Sequence, residues 1–165
     1  MDKPSSQTDV ARLLTPTVKK WFTRKFPSFS LPQRYGVKRI HSRQNLLVSA
    51  PTGSTKTLTA FLAILNELVD SAEKDILEDK VYCVYISPLK ALNNDIAVNL
   101  LEPLKEMVKL SDSAKKVRVA VRTGDTTASE KAKMLKKPPH ILITTPESLG
   151  IVLSSLKFRD HLHDV

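Results

Sequence analysis

The sequence repeats one pattern four times: a short apolar run, a polar loop, and then a stretch whose apolar residues have helical spacing. The four apolar runs, each interpreted as a strand, cover residues 45–50, 81–86, 117–121 and 141–144. Strands that alternate with helices predict an α/β domain with a mostly parallel sheet. Because these runs are apolar almost throughout, we expect helices on both faces of the sheet.

A chain of 165 residues is long enough for one domain with a substantial core. Residues 1–15 show no clear apolar period and are predicted to form a loose N-terminus, which leaves residues 16–165 as the domain. Cys83 is the only cysteine in the sequence, so a disulfide within the chain is excluded. Helices are predicted over 17–26, 32–40, 128–135 and 146–156, from residue 56 onward, and over 89–108 with a break near Pro103.

The positive charge lies mainly in the first part of the chain. The formal net charge is +9, and residues 1–45 contain ten Lys or Arg and only two Asp. Such a segment indicates a polyanionic partner such as nucleic acid. A solvated basic surface without a partner explains the same composition, and both interpretations stay open at this point.

Nothing in the sequence indicates a membrane partner. No apolar run approaches the about 20 residues that a membrane helix needs. Residues 1–6 lack the apolar core of a signal peptide. The sequence therefore predicts a cytoplasmic protein.

The first predicted strand continues into the segment A-P-T-G-S-T-K-T, residues 50–57, and then directly into a helix. A strand, a loop and a helix that begins with Lys-Thr are typical of a phosphate-binding loop. In such a loop the unpaired N–H groups at the helix start bind phosphate oxygens. Lys56 would contact the β- and γ-phosphates of a nucleotide, and the Thr57 hydroxyl would bind Mg²⁺.

Thr55 departs from this pattern because the strict motif has glycine at that position. Glycine adopts left-handed backbone angles that a β-branched residue resists. The loop is thus a functional or a degenerate phosphate loop.

Polar residues also follow the other three predicted strands, and each group precedes a helix or a turn. Carboxyl ends of parallel strands share one edge of a sheet, which is where α/β proteins bind ligands. Each group alone is better explained as a helix cap than as a binding site, but three such groups at one edge, beside a phosphate loop, favour a site. The three segments are 87–95, 122–126 and 145–149.

In this order and spacing, the motifs A-P-T-G-S-x-K-T, S-P-L-K-A-L, R-T-G-D-T and T-P-E-S-L resemble superfamily 2 helicases of the DEAD/DEAH-box type. The longer strings at 85–95 and 144–149 resemble the large helicase-related (Lhr) group. The resemblance begins near residue 16 and continues to the end of the chain. It implies a RecA-like domain, ATP and Mg²⁺ as cofactors, and a nucleic-acid partner, single-stranded or duplex, with DNA favoured over RNA.

The resemblance also implies roles for individual positions. Gln33 would read the adenine edge, and Thr57 would contact Mg²⁺. The nucleotide-binding positions are Gln33, Thr52, Gly53, Ser54, Thr55, Lys56 and Thr57. The positions that would line a nucleic-acid strand are Ser87, Pro88, Lys90, Arg122, Thr123, Gly124, Thr145, Pro146 and Glu147.

The 165 residues contain no D-E-x-H box, which in this family binds Mg²⁺ and positions the attacking water. They also contain no second RecA-like domain. The expected function is therefore ATP and nucleic-acid binding as part of a helicase, without hydrolysis or unwinding by this chain alone. Two alternatives are a non-catalytic nucleic-acid-binding remnant with a degenerate loop, and a half that works with a separately encoded remainder.

Overall fold

The computed structural model describes residues 3–51, 53–88, 96–163 and 165. The chain divides into two compact units, each described by itself. The first unit spans Met1–Asp75 and Asp95–Lys115, and the second spans Ile76–Asn94 and Lys116–Val165.

The first unit is helical. Its longest helix is α4, whose apolar side buries Phe61, Leu62, Leu65 and Leu68. The helices of this unit are α1 (Gln7–Leu13), α2 (Pro16–Lys25), α3 (Leu31–His41), α4 (Lys56–Glu73) and α5 (Glu102–Val108), with a 3₁₀ turn over Asp112–Lys116 at the boundary between the units.

Helices α3 and α4 pack closely because Gly36 has no side chain. A Cβ atom at Gly36 would lie 2.8 Å from the Cγ2 atom of Thr59 and 3.3 Å from a methyl carbon of Leu46. Neither distance leaves room for a methyl group. Glycine at this position therefore determines how near α3 can come to α4.

The N-terminus differs from the prediction of a loose segment over residues 1–15. Helix α1 forms there because Ser6 and Asp9 make a capping box, in which each side chain binds the other residue's backbone N–H. Val10 of this helix is completely buried. Downstream, the amide of Asn66 accepts from Thr15 N–H at 2.7 Å and donates to the Leu13 carbonyl at 3.0 Å, which fixes the chain between α1 and α2.

The predicted strand at 45–50 is absent, and this is a correction to the sequence interpretation. No residue from 44 to 51 pairs with a strand of the described part of the chain. An apolar run becomes a strand only where a neighbour completes its backbone hydrogen bonds. Leu47 is 93% exposed, so the apolar character of the run does not correspond to burial here.

The helix near Pro103 is not broken but widened. Residues Ala97–Leu101 form a π-helical segment that runs directly into α5, and the Glu102 N–H donates to the Ala97 carbonyl. Proline lacks an N–H group and clashes with the preceding turn of an α-helix. The wider turn accommodates the proline without ending the helix.

The second unit contains a three-stranded parallel sheet in the order β1-β3-β2. Its strands are β1 (Cys83–Ile86), β2 (Val119–Arg122) and β3 (Ile141–Thr144). The central strand β3 is buried along its whole length. The helices of this unit are α6 (Ala128–Lys136), α7 (Pro146–Ser154) and α8 (Leu156–Arg159), and a 3₁₀ turn covers Asp160–Leu162.

A small core in this unit joins the sheet to the last helices. Val81, Leu142, Val152 and Phe158 are fully buried together. The strands and their parallel pairing confirm the predicted fold class for this part of the chain. Among the described residues, no helix combines the length and apolar character that crossing a membrane requires.

Candidate functional site

The loop before α4, predicted to bind phosphate, contains two residues with left-handed backbone angles. Gly53 has φ +82° and Thr55 has φ 63°, so both lie in the left-handed region. Lys56 follows as the first residue of α4, and Thr57 is the second. The loop therefore delivers Lys56 and Thr57 to the helix N-terminus, where unpaired N–H groups and the helix dipole favour an anion.

The space and the donors at this loop fit a phosphate group. No heavy atom lies within 4 Å of the position that a Gly53 Cβ would occupy. The Lys56 ammonium donates to the carbonyls of Ala50 at 2.5 Å and Pro51 at 2.8 Å. Lys56 is thus held at the loop by weak neutral acceptors, which charged phosphate oxygens can replace with stronger bonds.

The predicted phosphate loop is hydrogen-bonded to the residue that begins α3. The hydroxyls of Ser30 and Thr55 lie 2.6 Å apart. Ser30 is also the N-cap of α3 and forms a capping box with Gln33, whose Oε1 accepts from Ser30 N–H at 2.9 Å. Gln33 is only 1% exposed, so in this structure its amide oxygen serves the cap. Its role in adenine recognition stays a prediction.

In the second unit, the carboxyl ends of all three strands are level. Ile86 and Arg122 both pair with Thr144, the last residue of β3. The segments that follow the strands, beginning at Ser87, Thr123 and Thr145, therefore emerge at one edge of the sheet. The expectation that these three loops share an edge is confirmed.

Hydrogen bonds from backbone and threonine hydroxyl groups stabilise that edge. The Ser87 N–H donates to the Thr144 carbonyl at 3.1 Å, and the Thr144 hydroxyl donates to the Arg122 carbonyl at 2.7 Å. Thr123 and Thr126 close a turn in which the Thr123 N–H donates to the Thr126 hydroxyl at 2.8 Å. Gly124 lies in this turn with open space around it.

Helix α7 begins at the same edge. The Thr145 hydroxyl caps it by accepting from the Ser148 N–H, and Pro146 occupies the first turn. The backbone N–H of Glu147 and the Thr145 hydroxyl hold the pKa of the Glu147 carboxyl below its ordinary value. Glu147 therefore stays ionised, and a phosphate bound here would contact N–H and hydroxyl donors beside a fixed negative charge.

Arg122 differs from its neighbours because its side chain is buried. It is 8% exposed, and its guanidinium lies 4.6 Å from the ring centroid of Phe158. Desolvation lowers the pKa of Arg122. The side chain thus packs inside the second unit in this structure, and its contact with a nucleic-acid strand stays a prediction.

Other predicted site residues have simpler surroundings. Ser54 donates from its hydroxyl to the Pro51 carbonyl at 2.5 Å and helps to shape the loop. Pro88 is exposed. Thr52 and Lys90 lie outside the residues that the structure describes.

The chain matches a known protein family over most of its length. Residues 30–165 match the family DEAD/DEAH box helicase. The chain belongs to this family. The match confirms the predicted helicase resemblance, although it does not test the roles of individual residues.

Helicase relatives of the Lhr type match almost the whole chain. The ATP-dependent helicase Lhr-Core of Methanocaldococcus jannaschii is 52% identical over 169 residues, which cover 100% of this chain and 20% of the relative. The protein of the same name from Saccharolobus solfataricus is 55% identical, covering 97% of this chain and 18% of the relative. The chain therefore spans about a fifth of the length of these curated relatives.

Solved helicase structures confirm the RecA-like fold. Mycobacterium smegmatis helicase Lhr bound to ssDNA and AMP-PNP matches with a TM-score of 0.79 at 36% identity, over 92% of this chain and 19% of that chain. The DEAD-box helicase Mss116 bound to ssRNA and UDP-BeF matches with a TM-score of 0.69 at 25% identity, over 94% and 31% of the two chains. The likeness to the Lhr group is thus found in both sequence and structure.

The sequence interpretation missed the link between the two motifs that are predicted to bind nucleotide. Ser30 precedes Gln33 in an S-x-x-Q capping signature, which was readable as a helix start. The contact of Ser30 with Thr55 joins positions 25 residues apart. No local pattern signals such a contact.

Proposed function

We propose that this chain binds ATP with Mg²⁺ and a nucleic-acid strand as the first part of a helicase motor, and that it neither hydrolyses ATP nor unwinds nucleic acid alone. The observation that carries the nucleotide assignment is the left-handed backbone at Gly53 and Thr55, which leads directly to Lys56 at the start of α4. Lys56 would bind phosphate oxygens, and the Thr57 hydroxyl would bind Mg²⁺.

Thr55 bears on whether the loop is functional. The residue has φ 63° and ψ 22°, which is the conformation that glycine would adopt at this position. A threonine in this conformation costs about 1–2 kcal/mol of conformational energy. This supports a loop that still binds nucleotide.

The nucleic-acid part of the proposal is supported by the level sheet edge of the second unit. Ser87, Thr123 and Thr145 each begin a segment there. Contacts from backbone N–H and hydroxyl groups to phosphates tolerate any base sequence and weaken with salt. The Lhr structure from M. smegmatis contains ssDNA, which supports DNA as the strand for this chain.

The part of the proposal that denies ATP hydrolysis by this chain alone is based on its sequence. No D-E-x-H box occurs among the 165 residues, so the carboxylates that hold Mg²⁺ and position water in this family are missing from this chain. A separately encoded or additional segment would have to supply them.

Nucleotide binding tests the proposal directly. We expect Lys56→Ala to weaken the binding of a fluorescent ATP analogue by about tenfold or more, because one charged contact with the phosphates is lost. The binding is measured by fluorescence anisotropy in the presence of Mg²⁺. Lys74→Ala is the matched control because Lys74 caps the opposite end of α4 and pairs with Asp70. Equal effects of the two substitutions, or ATP turnover that Lys56→Ala abolishes, would contradict the proposal.

The same assay distinguishes the proposed function from the competing one, in which the chain is a nucleic-acid-binding remnant with a degenerate loop. In that case the natural chain binds no nucleotide, and only Thr55→Gly restores binding. Under our proposal both proteins bind, since Thr55 already has the required backbone angles.

A further inference from the structure

A basic cavity of about 350 Å³ lies on the first unit. Eight described residues line it: Lys3, Ser5, Arg34, Tyr35, Lys38, Arg39, Ser42 and Gln44. Four of them are cationic, and no acidic residue occurs among these eight. None of them belongs to the nucleotide or nucleic-acid motifs considered above.

The cavity is built by two segments that are fixed to each other. The Ser5 N–H donates to the Arg34 carbonyl at 3.1 Å, and the Arg34 Nε donates to the Ser5 carbonyl at 2.8 Å. This pair of bonds holds the N-terminal segment, with Lys3, against α3. On α3 itself, Arg34 and Lys38 are four residues apart and therefore share one face of the helix.

The carboxylate of Asp9 is close enough to Lys38 for the two charges to interact. The pKa of Asp9 is lowered first by hydrogen bonds from Ser6 and then, more weakly, by Arg12 and Lys38. The Asp9 carboxylate accepts the hydrogen bonds of the capping box of α1, and Asp9 does not line the cavity. The residues that line the cavity thus carry a net positive charge.

The remaining lining groups favour a nucleic-acid strand over a simple anion. Tyr35 is 41% exposed and lies beside the cations. An exposed aromatic ring next to a basic groove is the arrangement by which proteins stack a base while neutralising the adjacent phosphates. Ser42 and Gln44 add neutral hydrogen-bonding groups at the rim.

We propose that this cavity is a second strand-binding site, in which the cations bind backbone phosphates of single-stranded nucleic acid and Tyr35 stacks on a base. It is additional to the sheet edge of the second unit and does not depend on nucleotide binding at Lys56. Four of the ten Lys and Arg residues of the segment 1–45 line this cavity.

Two double variants of equal charge change test this site. We expect Lys3→Gln/Lys38→Gln to weaken binding of the 165-residue chain to a fluorescent single-stranded DNA oligonucleotide about tenfold at low salt. The slope of log affinity against log salt should fall by about 1.4, since each lost phosphate contact on a single strand contributes about 0.7. Lys19→Gln/Lys20→Gln removes the same charge from exposed positions on α2 and should weaken binding less than about twofold, as expected for a diffuse effect.

The outcomes distinguish binding at this site from a general effect of charge, and they are independent of the test of the proposed function. Equal losses in the two double variants, or no loss in either, would overturn the site while leaving the Lys56 assay unaffected. This site predicts that Lys56→Ala weakens nucleotide binding but leaves the binding of the oligonucleotide unchanged.

An NMR titration of the natural protein avoids any dependence on variant folding. The backbone amides of Ser42 and Gln44 should shift on addition of the oligonucleotide. Tripolyphosphate at the same phosphate concentration should shift them less. Equal or larger shifts with tripolyphosphate would overturn the strand assignment and indicate a site for free polyphosphate.

Discussion

The hydroxyl of Ser30 lies 2.6 Å from the hydroxyl of Thr55, and each residue is the N-cap of a different helix. Ser30 begins α3, which carries Gln33, and Thr55 begins α4, which carries Lys56. One hydrogen bond therefore joins the two motifs that would hold opposite ends of a nucleotide. Glycine at position 55 could not form it.

A double-mutant cycle measures this bond against the strain of Thr55. We expect Thr55→Gly alone to change the free energy of unfolding by less than about 0.5 kcal/mol, because relief of the left-handed strain is offset by loss of the bond to Ser30. In a Ser30→Ala background the bond is already gone, so Thr55→Gly should stabilise the protein by about 1 kcal/mol. Urea denaturation of the four proteins gives the coupling, and a value near zero would show that the hydroxyl contact contributes nothing.

His140 should make the stability of the protein depend on pH above the range where carboxylates titrate. Burial, and then the charge of Arg118, lower the pKa of His140 to about 4, while Asp79 raises it. The side chain is 1% exposed, and its Nδ1 accepts from the Arg118 N–H. Because the folded state favours neutral His140, stability is complete above about pH 6.5 and is lost as the pH falls toward 4. We expect a loss of about 2 kcal/mol between pH 7.5 and 5.

Urea denaturation at a series of pH values provides the measurement. His140→Gln removes the titrating group and should flatten the profile between pH 7.5 and 5. His41→Gln, at an exposed position, should leave the profile unchanged. A profile that His140→Gln does not alter would assign the pH dependence to other groups.

Trp21 should report the ionisation of Glu106. The indole N–H donates to Glu106 at 2.5 Å, and the Lys25 ammonium lies 3.0 Å from both carboxylate oxygens. These two partners, the indole first, hold the pKa of Glu106 below its ordinary value of 4.5. Trp21 is the only tryptophan, so its fluorescence should show an acid transition with a midpoint below pH 4.5. Glu106→Gln should abolish that transition, whereas Glu102→Gln in the same helix should retain it.

Asn66 should be important for stability because it is a buried side chain bonded to the chain between α1 and α2. Its amide accepts from the Thr15 N–H and donates to the Leu13 carbonyl. Asn66→Ala leaves both backbone groups without this partner, so we expect a loss of about 2–3 kcal/mol in the free energy of unfolding. Asn45→Ala, at an exposed position, should change it by less than about 0.5 kcal/mol.

The fold class and the shared sheet edge were predictable because they follow from local patterns. The apolar runs at 81–86 and 141–144 each contain a strand of the structure, the run at 117–121 overlaps the third strand, Val119–Arg122, and a polar loop follows each strand. In contrast, the strand order was not readable. Strand β3 is the last in sequence but lies between the other two, since pairing depends on how the whole chain packs.

The differences between sequence and structure have distinct physical causes. Residues 45–50 have strand composition but no strand partner among the described residues, and composition cannot report a partner. Helix α1 was missed although Ser6 and Asp9 have capping-box spacing, because the helix is short and buries few apolar residues. The buried position of Arg122 results from its stacking on Phe158, which is 36 residues away and invisible to motif matching.

The position of β3 has a consequence for local unfolding. Its backbone is paired on both sides, and all four of its residues are buried, while β1 and β2 each pair with β3 alone among the described residues. Opening β3 requires both ladders to separate at once, so the amide protons of Ile141–Thr144 should exchange with solvent deuterium more slowly than those at the outer sides of β1 and β2. The segment that leads into Thr145 would then be anchored to the most persistent structure of its unit.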